Sequence, residues 1–339
     1  NYSFDVYNID SCNIDINPFM LNEPTGCCPT SCTVTGGPGG NVCPATEAIF
    51  GVTTSGGTCT TPTYSWAIIS NTSGASIVGS STGASVTVSS GTTCGSYTIE
   101  STVTCSGCSP LLCTQVVNVV DNTQPTITTC AVTRNLEGCN TSVITGPNFS
   151  TTTTSSTEAV FENGTNQGVT SDNCAITSVT YIDVAVGTCP TVVTRTWTIS
   201  DACGNTNTCN QTINVDDTGA PFITTCPVAR VIEGCGTSSI TGPDYSAVSA
   251  SSTEAVFENG TNQGVTSDNC AVTSVTYIDV AVGTCPTVVT RTWTVSDACG
   301  NTNTCNQTIT VDDTVMPTIT TCASGRAART SGKARMKMW

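Results

Sequence analysis

The feature that most constrains the fold of this 339-residue chain is an internal repeat with a period of 96 residues. Residues 130–225 and 226–321 differ at only 18 of 96 positions, mostly before Ser155. Each copy carries six cysteines at the same offsets; they are Cys130, Cys139, Cys174, Cys189, Cys203 and Cys209, then Cys226, Cys235, Cys270, Cys285, Cys299 and Cys305. Such self-similarity is typical of tandem modules, and it disfavours a catalytic centre unique to one copy.

Each copy has the residue pattern of an antiparallel β-sheet. In residues 191–200, Val193, Trp197 and Ile199 alternate with threonines, which is the period of a half-buried strand. A D-A-C-G-N turn follows at residues 201–205, and a second alternating run completes a hairpin. Short strands separated by turns, without a long helical period, predict an antiparallel β-sandwich.

A recurring acidic junction divides the chain. One or two aspartates follow a valine and precede a proline, which is tolerated at the start of a strand, so each junction predicts a domain boundary. Alternation at Tyr64, Trp66 and Ile68 predicts a further sandwich ahead of the repeats. The predicted segments are an N-terminal arm plus a variant sandwich at 1–121, repeats at 122–217 and 218–313, and a truncated third-repeat strand with a basic tail at 314–339.

The charge and the missing histidines exclude several function classes. Nine Lys and Arg residues face 24 Asp and Glu residues, for a net charge of −15, so the chain lacks the basic patch that nucleic-acid binding needs. The sequence contains no run of 18 apolar residues, so it predicts no membrane-spanning helix. The chain has no His, so Ser-His, Cys-His and His-ligated zinc sites are excluded, and we expect no enzyme.

The 23 cysteines predict a disulfide-rich protein that is secreted or exposed at the cell surface. We expect the six cysteines of each repeat to form bridges within their own domain, although six cysteines allow 15 pairings. Cys189 and Cys203 bracket the Trp197 strand and are expected to pair, which leaves the other four to pair among themselves. Cys322 is the odd cysteine, either a free remnant or the site of an intermolecular disulfide.

The acidic junctions form a candidate calcium site, because Ca²⁺ takes six to eight oxygen ligands. The neighbouring loops would add Asp201 or Asp297. The alternative is a solvated acidic linker. The junction carboxylates are Asp121, Asp216, Asp217, Asp312 and Asp313.

Five short motifs characterise the repeats: T-W-T-I-S-D-A-C-G-N at 196–205, T-C-N-Q-T-I at 208–213, V-D-D at 215–217, I-E-G-C at 232–235 and S-D-N-C at 267–270. In these motifs the repeats resemble the hyalin-repeat (HYR-like) modules of secreted bacterial adhesins. Residues 61–120 are more loosely similar to a PKD-type or other Ig-like module. The resemblance implies an all-β chain of tandem, disulfide-rich Ig-like antiparallel β-sandwiches with a surface role.

These observations predict an extracellular structural or adhesive rod whose partners are further copies of itself, other surface proteins or glycans. Residues 317–322 have the sequence of a first strand without its domain, and an unpaired strand can dock on the sheet edge of another subunit. A head-to-tail contact of this kind produces a filament. The alternative function is a noncatalytic carbohydrate-binding segment of a larger secreted hydrolase.

Overall fold

The computed structural model describes residues 28–59 and 61–320 of the chain. These residues form two compact units that divide between Asp217 and Thr218. The predicted N-terminal arm, Cys322 and the basic tail lie outside the described residues. No helix in the described ranges is long and apolar enough to cross a membrane.

The first unit begins with a sandwich of seven strands. One sheet has the order β1-β2-β5-β4 and the other the order β3-β6-β7. Phe50 from the first sheet and Trp66 from the second are buried in one core, where Phe50 also meets Tyr97 edge to face at 6.4 Å. The strands are β1 (Ser31–Gly36), β2 (Glu47–Ser55), β3 (Thr63–Asn71), β4 (Ser76–Val78), β5 (Ser85–Ser89), β6 (Gly95–Thr104) and β7 (Leu111–Val119).

Three disulfides close this first sandwich on itself. Cys32 on β1 is bonded to Cys113 on β7, so the bond joins the two sheets. The other two bonds are Cys28–Cys108 and Cys59–Cys105. Cross-links of this kind supplement a small hydrophobic core by restricting the unfolded chain.

A second sandwich follows in the same unit. Its main sheet has the order β10-β12-β13-β14-β9, and β8 pairs with β11 in the opposing layer. All pairings are antiparallel except that of β9 with β14, which is parallel. The strands are β8 (Thr126–Thr129), β9 (Arg134–Glu137), β10 (Thr154–Ser156), β11 (Val169–Ser171), β12 (Ile176–Val186), β13 (Thr191–Asp201) and β14 (Thr206–Asp216).

The predicted alternation of β13 is confirmed. Val193, Trp197 and Ile199 are fully buried. A one-turn helix, α1 (Glu158–Phe161), covers Trp197 with the ring of Phe161, whose centroid lies 5.3 Å away. The hydrophobic pattern of the sequence did not predict this helix, because a segment of four residues is too short to show a helical period.

The inward face of the main sheet also holds an ion pair. Asp183 lies opposite Arg195 on the neighbouring strand and accepts from its Nε and Nη2 at 2.7 and 2.8 Å. Nη1 donates to the carbonyl oxygen of Pro147 and Nη2 to that of Asn148, both at 3.0 Å. The guanidinium lies 4.4 Å from the centre of the Tyr181 ring. Four hydrogen bonds thus hold the buried guanidinium, and such bonds are the condition for keeping an ion pair inside a core.

The second unit contains a third sandwich with the same topology. Its main sheet has the order β16-β21-β20-β19-β17, and β15 pairs with β18. Arg291 and Asp279 repeat the buried ion pair at 2.8 Å. Its elements are β15 (Phe222–Thr225), β16 (Arg230–Glu233), β17 (Ala250–Ser252), α2 (Glu254–Phe257), β18 (Val265–Ser267), β19 (Val272–Val282), β20 (Thr287–Asp297) and β21 (Thr302–Asp312).

The predicted fold class is confirmed: the chain is all-β, with tandem Ig-like antiparallel sandwiches and many disulfides. The predicted strand after Pro317 is not formed over the part that the structure describes. Residues 313–320 have no regular secondary structure, and Ile319 is 82% exposed.

Candidate functional site

Two disulfides join the first sandwich to the second. Cys43 is bonded to Cys174, and Cys94 is bonded to Cys203. The predicted Cys189–Cys203 pair is therefore wrong, and so is the expectation that Cys174 pairs inside its own repeat. Sequence spacing favoured bridges within a domain, but the loops that carry Cys174 and Cys203 face the preceding sandwich.

Cys43 and Cys94 flank the strand by which the chain leaves the first sandwich. Val42, next to Cys43, forms a parallel bridge with Val119 at the end of β7. Gly95, next to Cys94, pairs with the same Val119 from the other side. Both sulfurs are thus fixed by sheet hydrogen bonds at the point where the chain crosses to the second sandwich.

The receiving loops are shaped by aspartates placed two residues before each cysteine. Asp172 Oδ1 accepts the backbone N–H of Cys174 at 2.9 Å. Asp201 Oδ1 accepts the N–H groups of Cys203 and Asn205 at 2.8 and 2.9 Å. Such side-chain to backbone bonds stabilise tight turns. The S-D-N-C and D-A-C-G-N motifs therefore position the two sulfurs.

Asp121 is held between these two loops. Its N–H donates to Cys203 Sγ at 3.1 Å, and its carbonyl oxygen accepts from Asn205 Nδ2 at 2.9 Å. Its Oδ1 accepts from the Thr123 N–H at 2.9 Å and from Asn173 Nδ2 at 3.2 Å. Backbone and side-chain bonds thus supplement the two disulfides, so the joint between these two sandwiches is fixed on both sides.

Three carboxylates meet at this joint. Asp121, Asp172 and Asp201 each place one carboxylate oxygen within 4.8 Å of the others. Two like charges about 5 Å apart repel by ~3 kcal/mol at an effective dielectric constant of ~20. Among the described residues, ion pairs are formed by Arg195 and Arg291 with other aspartates. No described cationic side chain therefore forms an ion pair with these three carboxylates.

Two oxygens of this group are buried and lack a hydrogen-bond partner among the described residues. They are Asp121 Oδ2 and Asp172 Oδ2, and the Asp121 side chain belongs to a residue only 6% exposed. The sequence pointed to Asp121 and Asp201 but missed Asp172. The S-D-N-C motif, which recurs with the same spacing in both repeats, was the available signal.

The other predicted calcium ligands stay a prediction. Asp216 lies 3.7 Å from Cys189 Sγ, and Asp217 is buried. In the third sandwich, Asp312 Oδ1 lies 3.6 Å from Cys285 Sγ and Asp313 Oδ2 lies 3.5 Å from Cys235 Sγ.

Of the remaining repeat cysteines, eight are disulfide-bonded and two are free. Cys130–Cys209 and Cys226–Cys305 close the second and third sandwiches on themselves. Four others are disulfide-bonded as well, namely Cys139, Cys189, Cys270 and Cys299. Cys235 and Cys285 are free and exposed, so the expectation of a disulfide at these two positions within the described chain is wrong.

Cys235 and Cys285 occupy the same topological positions as Cys43 and Cys94. Cys235 comes two residues after Glu233, which pairs in parallel with the end of β21. Cys285 comes two residues before Thr287, which pairs with β21 from the other side. The two free thiols therefore flank the exit strand of the third sandwich.

Electrostatics lower the acidity of one of these thiols. The hydrogen bond that Cys235 Sγ donates to Asp313, and the negative charge of that carboxylate, raise the pKa of Cys235. At the opposite end of β20, burial alone would raise the pKa of Asp297, but hydrogen bonds from Asn301, Cys299 and Gly300 bring it below its ordinary value.

No family model matches the sequence, and no curated protein matches it. Similar solved structures are tandem-domain fragments. They include an I-band fragment of titin at 10% identity (80% of this chain, 94% of that chain, TM-score 0.26) and Sidekick-1 immunoglobulin domains 1–5 at 10% (84% and 60%, TM-score 0.25). A third is protocadherin gamma B7 EC3-6 at 12% (83% and 77%, TM-score 0.24). Similarity at this level says nothing about function, and the fold assignment rests on strand order and register.

Proposed function

We propose that this protein is a noncatalytic extracellular structural or adhesive protein in which Ig-like domains are coupled end to end by paired disulfides. The observation that carries the proposal is the pair of disulfides between the first two sandwiches, Cys43–Cys174 and Cys94–Cys203. Disulfides at this density form and persist in secreted or surface proteins. We place the domain boundaries near residues 121, 217 and 313, and we assign the repeats to the hyalin-repeat type of bacterial adhesins.

Two cross-links do more for a joint than one. A single disulfide leaves rotation about its own bonds, whereas two bonds on opposite sides of a strand prevent one domain from twisting about that strand relative to the other. The joint after Val119 has this arrangement, because Cys43 and Cys94 lie on either side of β7. A joint of this kind holds two domains in one orientation and keeps them attached if either domain unfolds.

We propose that the same coupling continues beyond the third sandwich. Cys235 and Cys285 are free, exposed and placed as Cys43 and Cys94 are. Asp121 follows the last strand of the first sandwich and is 6% exposed, covered by the second sandwich. Asp313 follows the last strand of the third sandwich and is exposed. The partner is a further Ig-like repeat that presents cysteines in S-D-N-C and D-A-C-G-N loops. In this chain the cysteines of such loops are already bonded, so the receiving repeat lies outside the described residues. Coupling repeated from one chain to the next builds a head-to-tail surface filament.

The chemistry of coupling is ordinary thiol oxidation. Each new disulfide joins one thiol of this chain to one thiol of the partner and releases two protons and two electrons. An external disulfide, such as oxidised glutathione, accepts them and becomes two thiols. Cys322, outside the described residues, remains a proposed intermolecular cysteine.

The test is disulfide mapping of native surface material that has been alkylated before digestion. We expect Cys235 and Cys285 each in a cross-linked peptide whose other half contains an S-D-N-C or D-A-C-G-N sequence. Negative-stain electron microscopy of the same material should show filaments that separate in dithiothreitol. Alkylated, unpaired Cys235 and Cys285, or a bond between these two residues, would contradict the coupling.

A variant separates assembly from folding. Cys235→Ser with Cys285→Ser changes two exposed side chains and is expected to shorten the filaments while leaving the melting temperature unchanged. The matched control is Ser238→Ala, an exposed position three residues after Cys235. Filaments of normal length in the double serine variant would overturn the proposal.

The alternative of a carbohydrate-binding segment has no supporting contact among the described residues. Sugar platforms need an exposed aromatic ring. Trp66, Trp197 and Trp293 are buried, and Phe222, which is 65% exposed, lies in the third sandwich and not in residues 1–121. Glycan binding localised to residues 1–121 remains the measurement that would favour this alternative.

A further inference from the structure

The joint between the first two sandwiches contains three carboxylates, two of which have a buried oxygen without a hydrogen-bond donor. Asp121, Asp172 and Asp201 come from three separate segments, namely the exit of β7, the loop after β11 and the turn after β13. Asp121 and Asp201 are 6% and 5% exposed. We propose that this group binds one hard divalent cation, Ca²⁺ in a calcium-containing medium, between the two sandwiches.

The donor set fits calcium. Ca²⁺ binds oxygen ligands at about 2.3–2.6 Å, so two ligands on one ion lie at most about 5 Å apart. The three carboxylates bring one oxygen each within 4.8 Å of the others, which satisfies this limit. The sulfurs at the joint are in disulfides and unavailable to soft metals, and the chain has no His. Oxygen ligands alone select a hard ion.

The unpartnered oxygens point to a ligand independently of the cluster. Asp121 Oδ1 already accepts two hydrogen bonds, from Thr123 and Asn173, while its Oδ2 is buried and accepts none. Asp172 Oδ1 accepts from Cys174, and Asp172 Oδ2 is again buried without a donor. Buried polar atoms in folded proteins nearly always have a partner. One cation supplies the missing partner to both oxygens and neutralises their charge.

The residues also recur in the sequence. Asp121, Asp172 and Asp201 reappear 96 positions later as Asp217, Asp268 and Asp297. Asp121, Asp172 and Asp201 each cap a backbone N–H with Oδ1. These turns give no role to the second carboxylate oxygens of Asp121 and Asp172. At the joint within the first unit, a ligand that bridges the two sandwiches accounts for the unpartnered oxygens.

The experiment is calcium titration of the full chain after treatment with EDTA and gel filtration, measured by isothermal titration calorimetry. Tb³⁺ luminescence provides a second readout. Asp172→Asn keeps the oxygen that caps Cys174 and removes one charge, so it tests the site with little effect on the loop. We expect the variant to bind one ion fewer than the parent, or to bind that ion at least about tenfold more weakly. The matched control, Glu100→Gln on β6, should bind as the parent does.

Calcium should also raise the melting temperature of the parent more than that of Asp172→Asn, because a ligand that binds only the folded state stabilises it. No calcium binding by the parent at millimolar concentration would overturn the inference, and so would an unchanged number of ions bound with unchanged affinity in Asp172→Asn. Neither result bears on the disulfide coupling, which the peptide map tests separately. The calcium site and the disulfide coupling are therefore tested independently.

Discussion

Arg195 and Asp183 face each other across two adjacent strands and form a two-pronged ion pair whose side chains have no exposed surface. Removing one partner leaves an uncompensated charge in the core, which costs about 3–5 kcal/mol. We therefore expect Arg195→Met to destabilise the second sandwich strongly. Replacing both residues, as Arg195→Met with Asp183→Leu, should restore much of the loss, because no charge then remains buried.

The measurement is amide hydrogen exchange along β13, which reports this sandwich separately from the third. The control is Arg134→Met, because Arg134 is partly exposed and donates to the Thr145 carbonyl rather than to a carboxylate. If Arg195→Met exchanged no faster than Arg134→Met, the ion pair would have no role in holding the core.

The tight contact between Gly168 and Phe161 predicts a second effect. A Cβ atom on Gly168 would lie 2.3 Å from the ring of Phe161, a fully buried side chain. Gly168→Ala should therefore force the ring to shift, at a cost of about 1–3 kcal/mol. A Cβ atom on Gly164 meets nothing within 4 Å. Gly164→Ala should be near neutral in the same urea titration, and equal effects of the two changes would contradict the packing.

The double disulfide at the first joint predicts a redundancy. Cys94→Ser with Cys203→Ser removes one bond, and the remaining Cys43–Cys174 bond should still hold the two sandwiches together. Removal of both bonds should leave each sandwich folded but open the connecting residues 121–125 to proteases. Limited proteolysis followed by mass spectrometry measures this. Rapid cleavage after loss of one bond alone would show that the two bonds do not act in parallel.

The reactivity of Cys235 should depend on Asp313. Because the hydrogen bond to Asp313 and its charge raise the pKa of Cys235, its thiolate forms at higher pH than that of an ordinary cysteine. The midpoint of its alkylation rate with pH should therefore lie above the usual value and move down in Asp313→Asn. Asp312→Asn is the control, since Asp312 contacts Cys285 instead. A midpoint that does not move in Asp313→Asn would rule out this interaction.

The sheet hairpins were predictable because their periodicity is local. β13 and β14 run from Thr191 to Asp216 with the turn that the D-A-C-G-N motif predicts, and the expected residues of β13 face the core. The buried ion pair was visible in the same pattern but was not deduced. Arg195 stands at an inward position between Val193 and Trp197, which is unfavourable unless the opposite strand supplies a carboxylate.

The disulfide pattern was not predictable from one sequence. Cys94 and Cys203 are 109 residues apart, and their meeting depends on how two sandwiches abut. Spacing within a repeat carries no information on that contact. For the same reason Asp172 was missed as a candidate ligand, because its relation to Asp121 spans the joint and not a single strand or turn.

The disulfide inside each sandwich determines how far the chain lengthens under tension. Cys130–Cys209 closes a loop of 79 residues, and Cys226–Cys305 closes another of 79. An extended residue spans about 3.5 Å, so each bond withholds about 280 Å of contour length from a pull applied at the two ends of its sandwich. Force that ruptures the strand pairing releases only the short segments outside the loop. Each repeat is therefore a link of nearly constant length instead of an elastic spring, and the load passes to covalent bonds.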